Sequence, residues 1–445
     1  MSEQLPVSAH LPALNQELVL SPDQEEIYAR FPKGAGAGAF YFITGRAGTG
    51  KSTLLRKFVK ETPLKKVIVA PTGLAAVNVG GQTIHSLFQL PPAPLEPESE
   101  RITIFSPGSR KRRLFNQIDV LVIDEISMVR ADLLDAMDFS LRRNREDDRP
   151  FGGVSVVAFG DPWQLEPIVS GQAEAEMLTE YYPSPYFFDA KVIQNMGADI
   201  YELSTVHRQM HDQEFLWALN QIRGGNCEQL DFINSRVGAD VSGGPVITLT
   251  ATNARATTIN LREMAMIPAP AQFFEGKVIG DFGSDLPTDL VLQLKPGAQV
   301  MFVRNGKTWV NGSIGTVESF GDDKIVVRLA NDKRVDVTKE SWQKIRYQWD
   351  RDRRRIIEEP VGEFIQYPLK LAWAVTIHKS QGLTFDRMIL DLDRAAFSNG
   401  QTYVALSRVR TLSGLSLIRP VEVSDVLVSH RVMEFARSTG LAELS

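Results

Sequence analysis

The chain has 445 residues, about three times the length of a common single domain, and its 43% hydrophobic and 23% charged residues are those of an ordinary globular protein, which excludes extended disorder. The near balance of 49 Lys and Arg against 54 Asp and Glu, a net charge of -5, excludes a histone-like coat held on nucleic acid by bulk charge, though not a local basic groove. A single cysteine, Cys227, excludes internal disulfides and cysteine-rich zinc sites; with no signal-like start and no apolar run near the roughly 18 residues of a membrane span, a cytoplasmic chain is expected, nucleoid-associated if bacterial.

Residues 1–19 are polar and broken by proline, and are read as a flexible N-terminus. The run Ser-Pro-Asp-Gln-Glu-Glu from Ser21 supplies an N-cap, a first-position proline and acids in the first turn, so a helix begins there. Past a glycine-rich stretch, residues 39–44 (Ala-Phe-Tyr-Phe-Ile-Thr) form a short apolar run that ends at a glycine-rich turn, and a helical pattern starts at Lys51. Three more apolar runs, 66–70, 118–123 and 154–159, alternate with helical segments, as in a parallel sheet wrapped by helices.

Residues 87–117 break this alternation. They are proline-rich and then basic at Arg110 to Arg113, with no strand pattern, and read as an insertion. A second set of strand-like runs follows at 199–203, 245–250, 368–373, 388–392 and 415–418. Between them, residues 269–367 carry short β-like runs at 299–303, 314–317, 324–329 and 334–337, parted by Asn-Gly and Gly-Asp turns, which point to an inserted β-barrel. The expected class is α/β with parallel sheets. The expected division is a first domain at 20–195, a second at 196–268 and 368–440, and the inserted barrel at 269–367.

Gly45-Arg-Ala-Gly-Thr-Gly-Lys51-Ser52 fits G-x-x-x-x-G-K-[ST], with the strand before it and the helix after it that the motif requires. Gly48, Thr49, Gly50, Lys51, Ser52 and Thr53 are therefore candidate nucleotide-binding residues: backbone N–H groups close on phosphates, Lys51 reaches the β and γ phosphates, and Ser52 ligates magnesium. ATP and Mg2+ are the implied ligands. An apolar strand ends in Asp124 and Glu125, candidates for the magnesium partner and the general base. Gln164 follows another strand end and is a candidate γ-phosphate sensor. Set against these are plainer readings: a glycine-rich turn, an acidic helix cap, and a turn built on Asp161-Pro162.

In order, the blocks at 45–53, 70–76 (Ala-Pro-Thr-Gly-Leu-Ala-Ala), 83–86 (Thr-Ile-His-Ser), 124–129 (Asp-Glu-Ile-Ser-Met-Val), 160–165 (Gly-Asp-Pro-Trp-Gln-Leu), 207–209 (His-Arg-Gln), 376–382 (Thr-Ile-His-Lys-Ser-Gln-Gly) and 403–410 (Tyr-Val-Ala-Leu-Ser-Arg-Val-Arg) resemble a superfamily 1 helicase of the Pif type, related to the RecD and Dda enzymes. The resemblance runs from about residue 21 to 412, and departs at Glu166, where the family usually has proline, and at Trp163, where Phe or Tyr is common.

The resemblance implies two RecA-like P-loop domains, with a small insertion in the first and an SH3-like β-barrel in the second. It implies 5′-to-3′ movement on single-stranded DNA and at DNA forks; no membrane partner is expected, and the chain can act as a monomer or in a larger assembly. By the same resemblance Gln24 corresponds to an adenine-reading glutamine, Arg208 and Arg408 to arginine fingers, and Gln381 and Gly382 to a loop coupling ATP state to DNA grip. Pro71, Thr72, Asn78 and His85, with Thr376, His378 and Lys379, stand in blocks that resemble strand-contacting motifs. Phe88 is read as a base-stacking or wedge residue, with core packing as the alternative. An RNA-directed helicase of the same superfamily and a non-unwinding ATP-switched clamp both stay open.

Overall fold

The computed structural model describes residues 19–441 apart from 92, 170–171, 206–211, 284–285, 310, 351–354 and 394. Six parallel strands make the first sheet: β1 (Phe40–Gly45), β2 (Lys66–Ala70), β3 (Gln82–Thr83), β4 (Val120–Ile123), β5 (Ser155–Phe159) and β6 (Asp199–Leu203), in the spatial order β3-β2-β4-β5-β1-β6. Strands buried on both faces read as continuous apolar runs, and alternate residues go to opposite sides. Phe42, Val69, Leu121, Ile123 and Val156 enter one core. Ile43, Ile68, Val122 and Val157 enter the other, against Leu54, Leu55 and Phe58 of the helix Lys51–Glu61.

One expectation for this lobe is corrected. Residues 199–203, grouped by pattern with the second domain, pair in parallel with β1 from Tyr41↔Asp199 to Gly45↔Leu203, so the lobe boundary lies after Leu203 and not at 195. Strand order in a sheet is set by crossovers, which sequence order does not display. Residues 87–117, expected as an insertion in this domain, are packed into it: Leu90, Leu95, Ile102, Phe105, Leu114 and Phe115 lie in the same core as Phe42 and Leu121. Buried polar groups fasten them, with Leu95 N–H donating to Asp132 at 3.0 Å and Phe105 N–H to Asn144 at 2.7 Å.

The second lobe is a four-stranded parallel sheet in the order Ala374–Thr376, Ile247–Thr250, Met388–Asp391, Leu415–Leu417. The expected strand at 368–373 splits. Leu369–Leu371 pairs antiparallel with Gln299–Phe302 of the insertion, and the parallel strand begins at Ala374. Only Ala372 and Trp373 separate the two sheets, so one unbroken apolar run hides the switch.

The inserted segment forms a five-stranded antiparallel sheet in the order Arg334–Val337, Ile325–Leu329, Ile314–Phe320, Gln299–Phe302, Leu369–Leu371. Its alternating residues Val300, Phe302, Val317, Ile325, Val327 and Val337 make a core of their own. A long hairpin, Glu340–Asp350 with Arg355–Gln366, was not anticipated. It leans on the first lobe, where the Gln82 amide donates to the Ile345 carbonyl.

The C-terminal helix His430–Thr439, expected with the second lobe, docks on the first. Val432 and Ala436 enter the Phe42 core, Phe435 stacks on Phe188 with centroids 4.1 Å apart, and Arg431 Nε donates to Asp189 at 2.8 Å. Its apolar face finds its complement there, so the chain ends by crossing back over the lobe interface. No helix among the described residues is long and apolar enough to cross a membrane.

Candidate active site and DNA path

β1 runs into the phosphate loop, and its glycines are needed where they stand. At Gly45 (φ +150) a Cβ would lie 2.7 Å from Thr49 Oγ1 and 2.8 Å from the Leu203 carbonyl. Gly50 is left-handed (φ 83) and opens the helix Lys51–Glu61, a conformation that costs glycine little. The Lys51 ammonium donates to the carbonyls of Gly45 and Arg46. Burial pulls its pKa down, with the charges of Asp161 and Glu125 opposing.

Gln24 lies against this loop, but its amide is engaged. Nε2 donates to the Thr49 carbonyl at 3.1 Å, and Oε1 accepts from Ser21 N–H at 3.0 Å. It buttresses the loop, and reading adenine requires exchange of these bonds.

At the end of β4, Asp124 accepts from Glu125 N–H at 3.0 Å. Glu125 itself has a left-handed backbone (φ 53), a costly conformation for a non-glycine residue that recurs at functional sites. It aims the carboxylate at the second lobe, where Oε2 accepts from Gln381 Nε2 at 3.1 Å. Burial raises the pKa of both carboxyls; Glu125 raises Asp124 further, whereas Lys51 and then Arg408 pull Glu125 back down.

Gln164 is buried beside them. Its Nε2 donates to Asp161 at 3.2 Å, and its Oε1 accepts from Gln381 Nε2 at 3.2 Å. Gly382 follows, exposed and left-handed. Arg408 is 2% exposed and anchored in its own lobe: Nε donates to Val404 O at 2.9 Å and Nη2 to Ser407 Oγ at 2.7 Å. Arg208 lies outside the described residues.

Magnesium fits the donor chemistry at Ser52 and Asp124. The two offer hard oxygens only, the Ser52 side is exposed at the helix start, and Mg2+ commonly takes one or two protein ligands beside substrate phosphates.

Sequence reasoning missed three residues. Tyr403 OH accepts from Ala47 N–H of the phosphate loop at 3.2 Å, across the lobes; it stands inside a quoted block, which was its signal. Glu166, flagged as a departure, accepts across the lobes from Asn399 Nδ2 at 2.8 Å and Ser398 Oγ at 3.3 Å. Arg223 reaches Asp161 from the second lobe, and no block pointed to it.

On the proposed DNA side, Pro71 is half-buried and Thr72 exposed. Thr72 Oγ1 caps the helix Gly73–Val79, accepting from Ala75 N–H at 3.2 Å. Asn78 is exposed and accepts from Asn311 of the insertion at 3.4 Å. Thr376 is 4% exposed, its hydroxyl accepting from Lys379 N–H at 3.3 Å, so it shapes the turn that presents half-buried His378 and exposed Lys379. Next to His378 an interlobe cavity of about 610 Å³ is walled by Ile168, Val169, Tyr182, Pro185 and Phe397.

Phe88 is corrected. It is fully buried and packs edge-on against Phe115 at 5.4 Å. Ile84, Leu87 and Phe88 form the inward face of the helix Ile84–Phe88, and His85, at the border of that face, is half-buried with its Nδ1 enclosed and, among the described residues, without a hydrogen-bond partner. Phe88→Ala is therefore expected to destabilise the protein by about 3–5 kcal/mol, read as a lower unfolding midpoint, with single-strand affinity of the folded protein unchanged; a selective loss of DNA affinity would restore the wedge.

The family model described as PIF1-like helicase matches residues 19–232. The chain is 32% identical over 94% of its length to the ATP-dependent DNA helicase Pif1 of Bdellovibrio bacteriovorus, covering 92% of that protein. It is 34% identical over 89% of its length to human ATP-dependent DNA helicase PIF1, of which it spans 61%. Among solved structures, Bacteroides sp Pif1 in complex with ADP-AlF4 superposes with a TM-score of 0.87 at 34% identity, over 95% of this chain and 98% of that one. Bacteroides Pif1 bound to ssDNA gives 0.69 at 35% identity, over 95% and 97%.

Proposed function

Because the chain belongs to the PIF1-like helicase family, we propose that it is an ATP-dependent DNA helicase that tracks 5′-to-3′ along single-stranded DNA and separates duplex at forks. The observation that carries this reading is the Gln381 bridge. One amide nitrogen of the second RecA-like lobe joins Glu125 and Gln164 of the first, and His378 and Lys379, just before it on the same turn, are the residues assigned to the strand. A change at the γ-phosphate is thereby felt where DNA is held.

In this reading the loop N–H groups and Lys51 cradle the phosphates, Lys51 exchanging loop carbonyls for phosphate oxygens. Ser52 and Asp124 would hold Mg2+, which neutralises phosphate charge when bound. Glu125 takes the proton of the attacking water, Gln164 orients that water, and Arg408, with Arg208, meets the developing charge. Pro71, Thr72, Asn78, His85, Thr376, His378 and Lys379 grip the strand through backbone, hydroxyl and cationic contacts, which suit binding without sequence readout. A solved relative bound to ssDNA supports DNA as the track. Duplex separation costs about 1.4 kcal/mol per step on average, so hydrolysis must ratchet the movement.

Strand displacement on partial duplexes bearing a 5′ or a 3′ tail, with ATP and Mg2+ at one stated salt concentration, tests this. Unwinding is expected from the 5′ tail only. Unwinding from the 3′ tail alone would overturn the polarity, and none from either would favour a non-unwinding clamp.

A further inference from the structure

Arg223 ends the second-lobe helix Gln213–Arg223, between the quoted blocks though within the stretch that the family model matches, and is 1% exposed. Its guanidinium leaves its own lobe. Nη2 donates to Asp161 Oδ1 at 3.1 Å, and the guanidinium carbon lies 3.8 Å from the centre of the Trp163 ring. Both partners belong to the first-lobe segment after β5. The second Asp161 oxygen accepts from Gln164 Nε2, Gln164 Oε1 accepts from Gln381 Nε2, and that same nitrogen donates to Glu125.

Chemistry forces the direction of every bond in this chain. A guanidinium only donates and an ionised carboxylate only accepts. Gln164 must therefore turn its NH2 toward Asp161 and present its carbonyl to Gln381. Gln381 must in turn direct its NH2 at Gln164 and Glu125 together. Two amides that could otherwise flip are locked, beginning from one buried ion pair. Only arginine can donate in its plane to Asp161 while laying a face on an aromatic ring. Trp163, where the family usually has Phe or Tyr, offers the best such face.

We propose that Arg223 is a positioning residue for ATP hydrolysis, holding Asp161 so that Gln164, and through Gln381 the Glu125 carboxylate, keep their working orientation. The proposal rests on the reading of Glu125 and Gln164 given above. A residue that merely joined the lobes would act independently of Gln164; one that works through Gln164 has nothing left to do once that side chain is gone. The two are separated by a double-mutant cycle.

Steady-state ATPase is measured at saturating single-stranded DNA for Arg223→Met, Gln164→Ala and the double variant of the full chain, with unfolding midpoints on the same samples. Arg223→Met is expected to lower kcat about 30-fold with KM for ATP within about twofold. Gln164→Ala is expected to lower kcat about 100-fold, and the double variant to be no slower than Gln164→Ala within about twofold. Arg223→Lys, which keeps the charge but neither the fixed in-plane donor nor the stacked face, should lower kcat about tenfold.

An unchanged kcat in Arg223→Met, or losses that multiply in the double variant, would overturn the role of Arg223 and leave Gln164 in place. An unchanged kcat in Gln164→Ala would instead remove Gln164 from the reaction and the relay with it. If Arg223→Met does not fold, for it strands a buried carboxylate, Arg223→Lys enters the same cycle. Its loss should then vanish in the Gln164→Ala background, and persistence there overturns the proposal.

Discussion

Glu125→Gln is expected to lower the DNA-stimulated kcat for ATP by about 10²- to 10⁴-fold while nucleotide still binds. The substitution is isosteric, and its carbonyl still accepts from Gln381, so the bridge between lobes survives and basicity alone is lost. The environment suits a base. Burial raises the Glu125 carboxyl above the ordinary carboxylate range, which strengthens it as a proton acceptor, while Lys51 and Arg408 counter that rise and favour the ionised form. Equilibrium binding of a fluorescent nucleotide, set beside turnover and strand displacement, checks this. Bound nucleotide with normal turnover would take Glu125 out of the general-base role, and loss of binding would mean that the side chain shapes the pocket instead.

What could be read ahead of the structure was local. A phosphate loop needs glycines at fixed spacing because a backbone folded around phosphate leaves no room for a Cβ, and Gly45 shows why. The acids closing β4 were legible because they follow directly on an apolar strand. Pairing between distant segments was not. β6 looked like the first strand of a new lobe because nothing in residues 199–203 records that β1 is their neighbour. In the hairpin Glu340–Asp350 and Arg355–Gln366, Ile345, Tyr347 and Trp349 do alternate with polar residues, but the return strand is interrupted by Pro360 and Gly362, so the pattern that announces a half-buried strand holds on one side only. The C-terminal helix carried a visible apolar face but no mark of which lobe would cover it.

Phe88 and Arg223 are opposite errors of one kind. Phe88 sits next to a block with a functional look, yet helical spacing turns it inward. Arg223 stands at a helix C-terminus, where a cation is ordinarily a surface residue that favours the helix dipole. Its partners, Asp161, Trp163 and Glu202, all arrive from the other lobe. Residues whose chemistry depends on what a second lobe brings to them are invisible to local pattern.

Arg408→Ala is expected to lower kcat by about 10³- to 10⁵-fold, the range known for arginine fingers, with KM for ATP changed far less. Burial works against the Arg408 charge, and the neighbouring Tyr403, Glu125 and Asp161 work for it, so the guanidinium is a cation held where negative charge is expected. Its bonds to Val404, Leu383 and Ser407 fix its plane within the second lobe, leaving further N–H groups for the γ-phosphate side. A group so anchored pays little to reorganise during reaction, and its benefit falls on the transition state, where charge spreads over the transferring oxygens. Arg408→Lys should recover little, because an ammonium on a flexible stem cannot make these anchoring bonds and face the phosphate at once. Single-turnover hydrolysis separates this from an effect on binding. A loss confined to KM, or a kcat within about tenfold of the parent, would assign Arg408 to lobe packing. Since Tyr403, on the same block, meets the phosphate loop at Ala47, the variant is expected still to bind ATP and single-stranded DNA and to unwind nothing for want of turnover.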